Sequence, residues 1–171
     1  MKISELMNGR TPSASFSGPV TNDNMVLAVD CGQTPATEIS TTTVADFAVV
    51  QKGITGVDSN MNPETQDKTY LRSGKSTTKT ANQRSFSVSG DRFVGDDFQD
   101  FALGHAIKYG VGSEVQRKYV YFNILTGEGE SGVMSIIVNS DGSGSAGESA
   151  SVDIELKSVG EAPAEYTYSA T

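Results

Sequence analysis

Tryptophan is absent from this chain of 171 residues, and histidine and cysteine occur once each, as His105 and Cys31. A single cysteine excludes an internal disulfide, and a single histidine excludes a paired-histidine metal site within one copy. Basic residues are also scarce: 13 Lys and Arg stand against 21 Asp and Glu, for a formal charge of -8. A protein built to grip the phosphate backbone carries the opposite excess, so adhesion to nucleic acid is disfavoured. No apolar run approaches the roughly 18 residues of a membrane span, and residues 1–10 lack the apolar core of a signal peptide. The expectation is a soluble chain, made and assembled in a cytoplasm.

Glycine, with 18 residues, is plentiful, as are Ser and Thr, while the apolar fraction is only 36%. This composition points to short strands joined by polar connections, and the length fits one domain over residues 1–171 with a core of its own. Residues 1–24 mix Gly, Pro and Ser without a sustained period and read as an extended N-terminal arm. Residues 25–29 and 44–51 are apolar runs of strand length.

Residues 53–84 carry scarcely any apolar side chains and read as a long polar loop, a length that in a compact domain implies a function. Phe86 and Val88 alternate with Ser85, Ser87 and Ser89, the pattern of a strand with one buried face. Phe98, Phe101, Leu103 and Ile107 recur at helical spacing, which predicts one amphipathic helix over 96–108, capped by Asp96 or Asp97 and ended by Gly110. Further on, Val120, Phe122 and Ile124, then Met134, Ile136 and Val138, then Val152, Ile154 and Leu156 alternate with polar residues. Glycine-rich connections at 127–132 and 141–147 make these three an antiparallel meander. The fold class expected is mainly β, a β-sandwich or partly closed barrel with one flanking α-helix.

Familiar reactive motifs fail on specific positions. Gly74-Lys75-Ser76 resembles the end of a phosphate-binding loop, but Thr69 stands where the first glycine is needed. Asp58, Asn60 and Asn62 have the spacing that opens a calcium loop, yet Pro63 and Thr69 occupy the positions of its glycine and its bidentate glutamate. Asp91, Asp96, Asp97 and Asp100 cluster at the helix start, where carboxylates favour the positive end of the helix dipole. Capping is the reading adopted, with a magnesium site at Asp96 and Asp97 as the alternative. Cys31 and His105 would make a nucleophile and base, but Asp30 and Gly32 supply no positive charge to activate the thiol. No cofactor and no catalytic activity are expected.

Several linked segments resemble the tail tube proteins of long, non-contractile bacteriophage tails. They are Gly53-Ile54-Thr55-Gly56-Val57, the loop from Asn62 to Leu71, Phe86-Ser87-Val88-Ser89-Gly90-Asp91-Arg92, and Gly95-Asp96-Asp97-Phe98-Gln99-Asp100-Phe101. The likeness covers roughly residues 44–108 and extends to the tube proteins of contractile injection devices and type VI secretion. It implies a structural virion protein whose copies form hexameric rings stacked into a hollow tube. Double-stranded DNA would pass through without specific binding, and a tape measure protein and terminator or baseplate proteins would be partners. The arm and loop would then be ordered by neighbouring copies, and Pro63, Glu64, Asp67, Lys68, Tyr70, Leu71, Arg72 and Lys75 are the expected interface residues. The competing class is a binding or adhesion module on a phage or cell surface, for which Tyr119 and Tyr121 are the only candidate aromatic platform.

Overall fold

The computed structural model describes residues 1–32 and 43–169. An eight-stranded antiparallel sheet, curled into a half-barrel, dominates the fold. Its order is β2 (Ala48–Val49), β1 (Met25–Val29), β7 (Gln116–Asn123), β8 (Glu128–Ser143), β9 (Ser151–Ser158), β6 (Ser85–Asp91) and β3 (Ile54–Asn60), with β10 (Ala164–Thr167) also paired to β8. The mainly β, partly closed barrel expected from the alternating runs is therefore what the chain forms. β7, β8 and β9 make the C-terminal meander.

β8 is longer than its sequence pattern suggested, with 16 residues. Its first half pairs β7 on one side and β10 on the other, while its second half pairs β9. The glycine-rich segment expected as a connection lies largely inside this strand. Gly129 sits directly opposite Phe122, and a Cβ there would collide with the backbone of Tyr121 and Phe122. Glycine at this point permits close strand approach rather than a turn.

β1 and β7 are buried on both faces. Leu27, Val29 and Tyr119 face a core shared with Phe86, Val88, Ile154 and Leu156, whereas Val26, Ala28, Val120 and Phe122 face a second core on the opposite side. Central strands covered on both sides read as continuous apolar runs, as Met25–Val29 does.

Helices supply both covers. The one helix expected over 96–108 is two, α2 (Asp97–Ala102) and α3 (His105–Tyr109). They part at Gly104, whose backbone is extended and where a Cβ would stand 3.1 Å from the Phe101 carbonyl oxygen. Phe98, Ala102 and Ile107 from this pair close the first core.

The second core is closed by α1 (Ile3–Leu6), which corrects the expectation of an extended arm at the very start of the chain. Ile3, Leu6 and Met7 share one helical face, Lys2 N donates to Glu5 Oε2 at 2.9 Å, and Ile3 and Met7 are buried. A single turn is too short for its period to stand out in sequence. Residues 11–21 beyond it are almost wholly exposed. The run at 44–51 likewise divides into a 3-10 turn, Val44–Asp46, and the short β2.

Candidate functional site

Residues 53–84 are not a loop. They are strand β3, then a separate two-stranded hairpin of β4 (Pro63–Tyr70) and β5 (Gly74–Asn82), then two residues that lead into β6. β3 and β6 pair as far as Asn60 and Ser85, and β4 and β5 resume at Pro63 and Asn82. The four strands thus form one long hairpin, bent where its inner half leaves the sheet. Asn62 makes the bend with φ 41°, and its side-chain amide donates to the Gln83 carbonyl at 3.1 Å and to Ser85 Oγ at 2.7 Å. Gln83 N donates to the Met61 carbonyl and its side chain to the Ser158 carbonyl, so the base of the hairpin is fastened to the sheet.

Beyond that base every residue of β4 and β5 is exposed. The strands are held by backbone pairing and by residues suited to extended backbone, with Thr at 65, 69, 77, 78 and 80. No face is apolar, so the burial period that betrays a strand is missing, and this is why the sequence pattern suggested a loop. The signals it did carry were the threonine density and the Leu71-Arg72-Ser73-Gly74 turn, where Arg72 and Gly74 have φ of 69° and 76°.

The eight expected interface residues all lie on this hairpin. Pro63 and Glu64 stand near its base, and the Glu64 carbonyl accepts from Thr80 Oγ1. Asp67 and Lys75 form an ion pair of 2.6 Å, and the Lys75 hydrogen bond, followed by that from Thr77, holds the Asp67 carboxyl below its ordinary pKa. Lys68 points from the middle of β4, and Tyr70, Leu71 and Arg72 form the tip. Leu71 is 89% exposed and Tyr70 is 53% exposed, large apolar surface with nothing from its own chain to cover it. A nine-residue strand at about 3.3 Å per residue carries this tip ~30 Å from the base.

Charge is divided unevenly. Residues 63–82 hold Glu64 and Asp67 against Lys68, Arg72, Lys75 and Lys79, a net +2 that leaves -10 on the rest of the chain. From residue 128 onward eight acidic residues face a single basic one, Lys157. A basic projection leaves an acidic body.

The other residues singled out in the sequence are occupied in structural roles. Asp96 caps α2 by accepting from Gln99 N at 3.1 Å, which is the capping role expected. Asp97 accepts from the Met1 amino group, and Asp100 binds Arg92 at 2.6 Å and Gly95 N at 2.9 Å. Among the described residues, no group of three or more His, Cys, Asp and Glu side chains could hold a metal ion. Burial, then the charges of Asp30, Asp97 and Asp96, push the Cys31 thiol up to about 12, which keeps it protonated and inert. His105 lies against Tyr109, with ring centroids 4.8 Å apart and the planes tilted by 47°.

The tyrosines of the competing reading are not a platform. Tyr119 is 1% exposed, donates to Glu130 Oε1 at 3.1 Å, and packs edge-on against Phe86. Tyr121 lies 4.7 Å from the same ring. Sequence reasoning missed the group that joins them. Arg84, almost buried, places its Nε 2.7 Å from Glu130 Oε1 and its guanidinium over Phe86 and Tyr121. This pair clamps the hairpin base, where Arg84 sits, to β8.

No family model matches the sequence, and neither does any curated protein. Solved structures do share the fold. One is a chain from the tail of an empty GTA particle with C6 symmetry, which superposes with a TM-score of 0.54 at 18% identity, over 88% of this chain and 100% of that one. Another is a chain from the virion of a native gene transfer agent particle, with a TM-score of 0.53 at 17% identity and the same coverage. At such identity the likeness is one of fold.

Proposed function

We propose that this chain is a structural, non-enzymatic virion protein whose copies form hexameric rings stacked into the hollow tube of a phage-like tail, through which DNA passes. The observation that carries the proposal is the hairpin: two strands of 8 and 9 residues, all exposed, that bury nothing against their own sheet. Two-stranded hairpins are marginal in water, and ordering each residue costs about 1 kcal/mol or more. A chain that keeps such an element gains from it only when a neighbour covers it.

The likeness of fold to chains of a tail with C6 symmetry and of a virion particle supports the same reading. Edge strand β3 offers unpaired backbone groups that a neighbouring copy in a ring can complete. Net acidity suits a wall that DNA slides past. On this reading the hairpin residues from Pro63 to Lys75 make the contact between rings. A tape measure protein would lie in the lumen, and terminator or baseplate proteins would end the stack. Assembly would take place in a bacterial cytoplasm before release in the virion.

Sedimentation and negative-stain microscopy of concentrated protein test this directly. Six-fold rings or hollow filaments are expected. Monomer alone at millimolar concentration, with no tubes in the micrographs, overturns the proposal.

A further inference from the structure

The hairpin leaves the sheet past the row Asn60–Ser85–Lys157–Ser135, at one end of the strands. Helices α2 and α3 lie toward the other end. α2 follows the far end of β6, which is in register with Ser151 and, through it, Ser143, and α3 is tied there by Lys108 to Asp141 at 2.6 Å. Between α2, α3 and the 3-10 turn Gly112–Val115 runs an open groove of about 730 Å³. Phe101, Ile107 and Tyr109 give it apolar walls, and Asp100 and Glu114 stand on its rim.

We infer that this groove is the acceptor for the hairpin tip of a second copy of the chain, with Tyr70 and Leu71 seated between α2 and α3 and Arg72 beside the rim carboxylates. The inference rests on the tail-tube reading and adds the surface that the hairpin engages. Three observations support a second copy as the occupant.

Size is the first, since a cavity of this volume takes a small-molecule-sized apolar group with a few polar neighbours, the scale of a Tyr-Leu pair. Charge is the second. Residues 91–117 hold five acidic side chains against Arg92, Lys108 and Arg117, the last of which also lines the groove, a net -2 that is opposite in sign to the +2 hairpin. The Glu114 carboxylate has no partner among the described residues, and Asp100, although bound to Arg92, is still 42% exposed.

Polarity of the molecule is the third. Projection and groove are different surfaces of one molecule, so a contact between them is heterologous, and repeating it from copy to copy builds an open stack when the rotation it imposes does not close into a ring. That is the symmetry an open stack requires. Tyr109 and Val111, at 70% and 76% exposed, extend the apolar surface beyond the groove mouth, where the remainder of an incoming hairpin would lie.

Cysteine pairing distinguishes the outcomes. On a Cys31→Ala background, Leu71→Cys combined with Ala106→Cys, an exposed residue on the groove, should give a ladder of covalent multimers on mild oxidation of filaments. Either cysteine alone should give dimers at most. Ala106→Trp, which fills the groove from its exposed side, should keep the wild-type melt while raising the critical concentration for polymerisation about tenfold, a loss of ~1.4 kcal/mol per contact. Filaments without cross-links, together with normal polymerisation of Ala106→Trp, place the tip elsewhere and leave the tail-tube reading standing. Closed dimers only would make the contact isologous and overturn the head-to-tail geometry. Failure of the unmodified chain to polymerise at all overturns both.

Discussion

Glu130 satisfies two partners at once, the Nε of Arg84 and the hydroxyl of Tyr119, at a point where β6, β7 and β8 converge. With Arg84 nearly buried, removing the carboxylate strands a cation against two aromatic rings and leaves the Tyr119 hydroxyl unpaired. Glu130→Ala should therefore cost about 2–3 kcal/mol in denaturant unfolding, less than a fully buried pair because water still reaches Glu130. Tyr119→Phe, which removes one neutral donor from an acceptor that keeps Arg84, should cost about 1 kcal/mol. The two losses should be non-additive in the double variant, since both act on one oxygen. Equal and additive losses would show that the three groups do not work as a unit. Burial, and then Glu130, also raise the pKa of Tyr119, so the phenol remains a donor across the working range.

At the scale of elements, the hairpin of β4 and β5 should be separable from the fold that carries it. Replacing residues 63–82 with a short Gly-Ser turn, while keeping Asn62 and Gln83 to close the base, should leave the thermal melt of the monomer unchanged, because loop-closure entropy varies slowly with length. The same variant should make no tubes by electron microscopy. Normal polymerisation would remove the hairpin from the interface, and an unfolded monomer would assign it to the core.

The contrast between elements explains what could be read from sequence. Phe86 and Val88, and Ile154 and Leu156, each bury one side of a strand in their own molecule, so alternation revealed β6 and β9. Lys68, Thr69 and Tyr70 lie in a strand equally regular, but nothing in the same chain covers it, and a period arises only where burial is one-sided. α1 was hidden by brevity, and the division of α2 from α3 by a glycine inside an otherwise continuous helical pattern. The eight residues expected at an interface share one segment, and the structure keeps them together on the hairpin. The groove was not legible, since Phe101, Ile107 and Arg117 meet only through the tertiary fold.

For the molecule as a whole, the separation of a +2 projection from a body at -10 makes association sensitive to ionic strength. Raising salt shortens the screening length from about 10 Å at 0.1 M to about 3 Å at 1 M, so the critical concentration for filament growth should rise across that range. Sedimentation of filaments at the two salts measures it, and an unchanged or falling value would mean that apolar contacts alone drive stacking. Assembled filaments should also leave duplex DNA unretarded in an electrophoretic shift at 150 mM salt, since phosphate contacts need a basic surface that the body lacks. The arrangement of strands carries a consequence of another kind, for the order in which the chain can acquire its shape. β1 lies between β2 and β7, and its Val29 pairs with Tyr119, so a strand covered on both faces joins residues far apart in the chain. Such non-local pairing closes slowly. Until β7 has emerged from the ribosome, β1 has no long neighbour, and Leu27 and Val29 wait uncovered. The hairpin, whose partners are adjacent in sequence, can form early. A nascent copy would thus hold its projecting hairpin before its body is finished, and the sheet would close only on the late docking of a strand made near the beginning of synthesis.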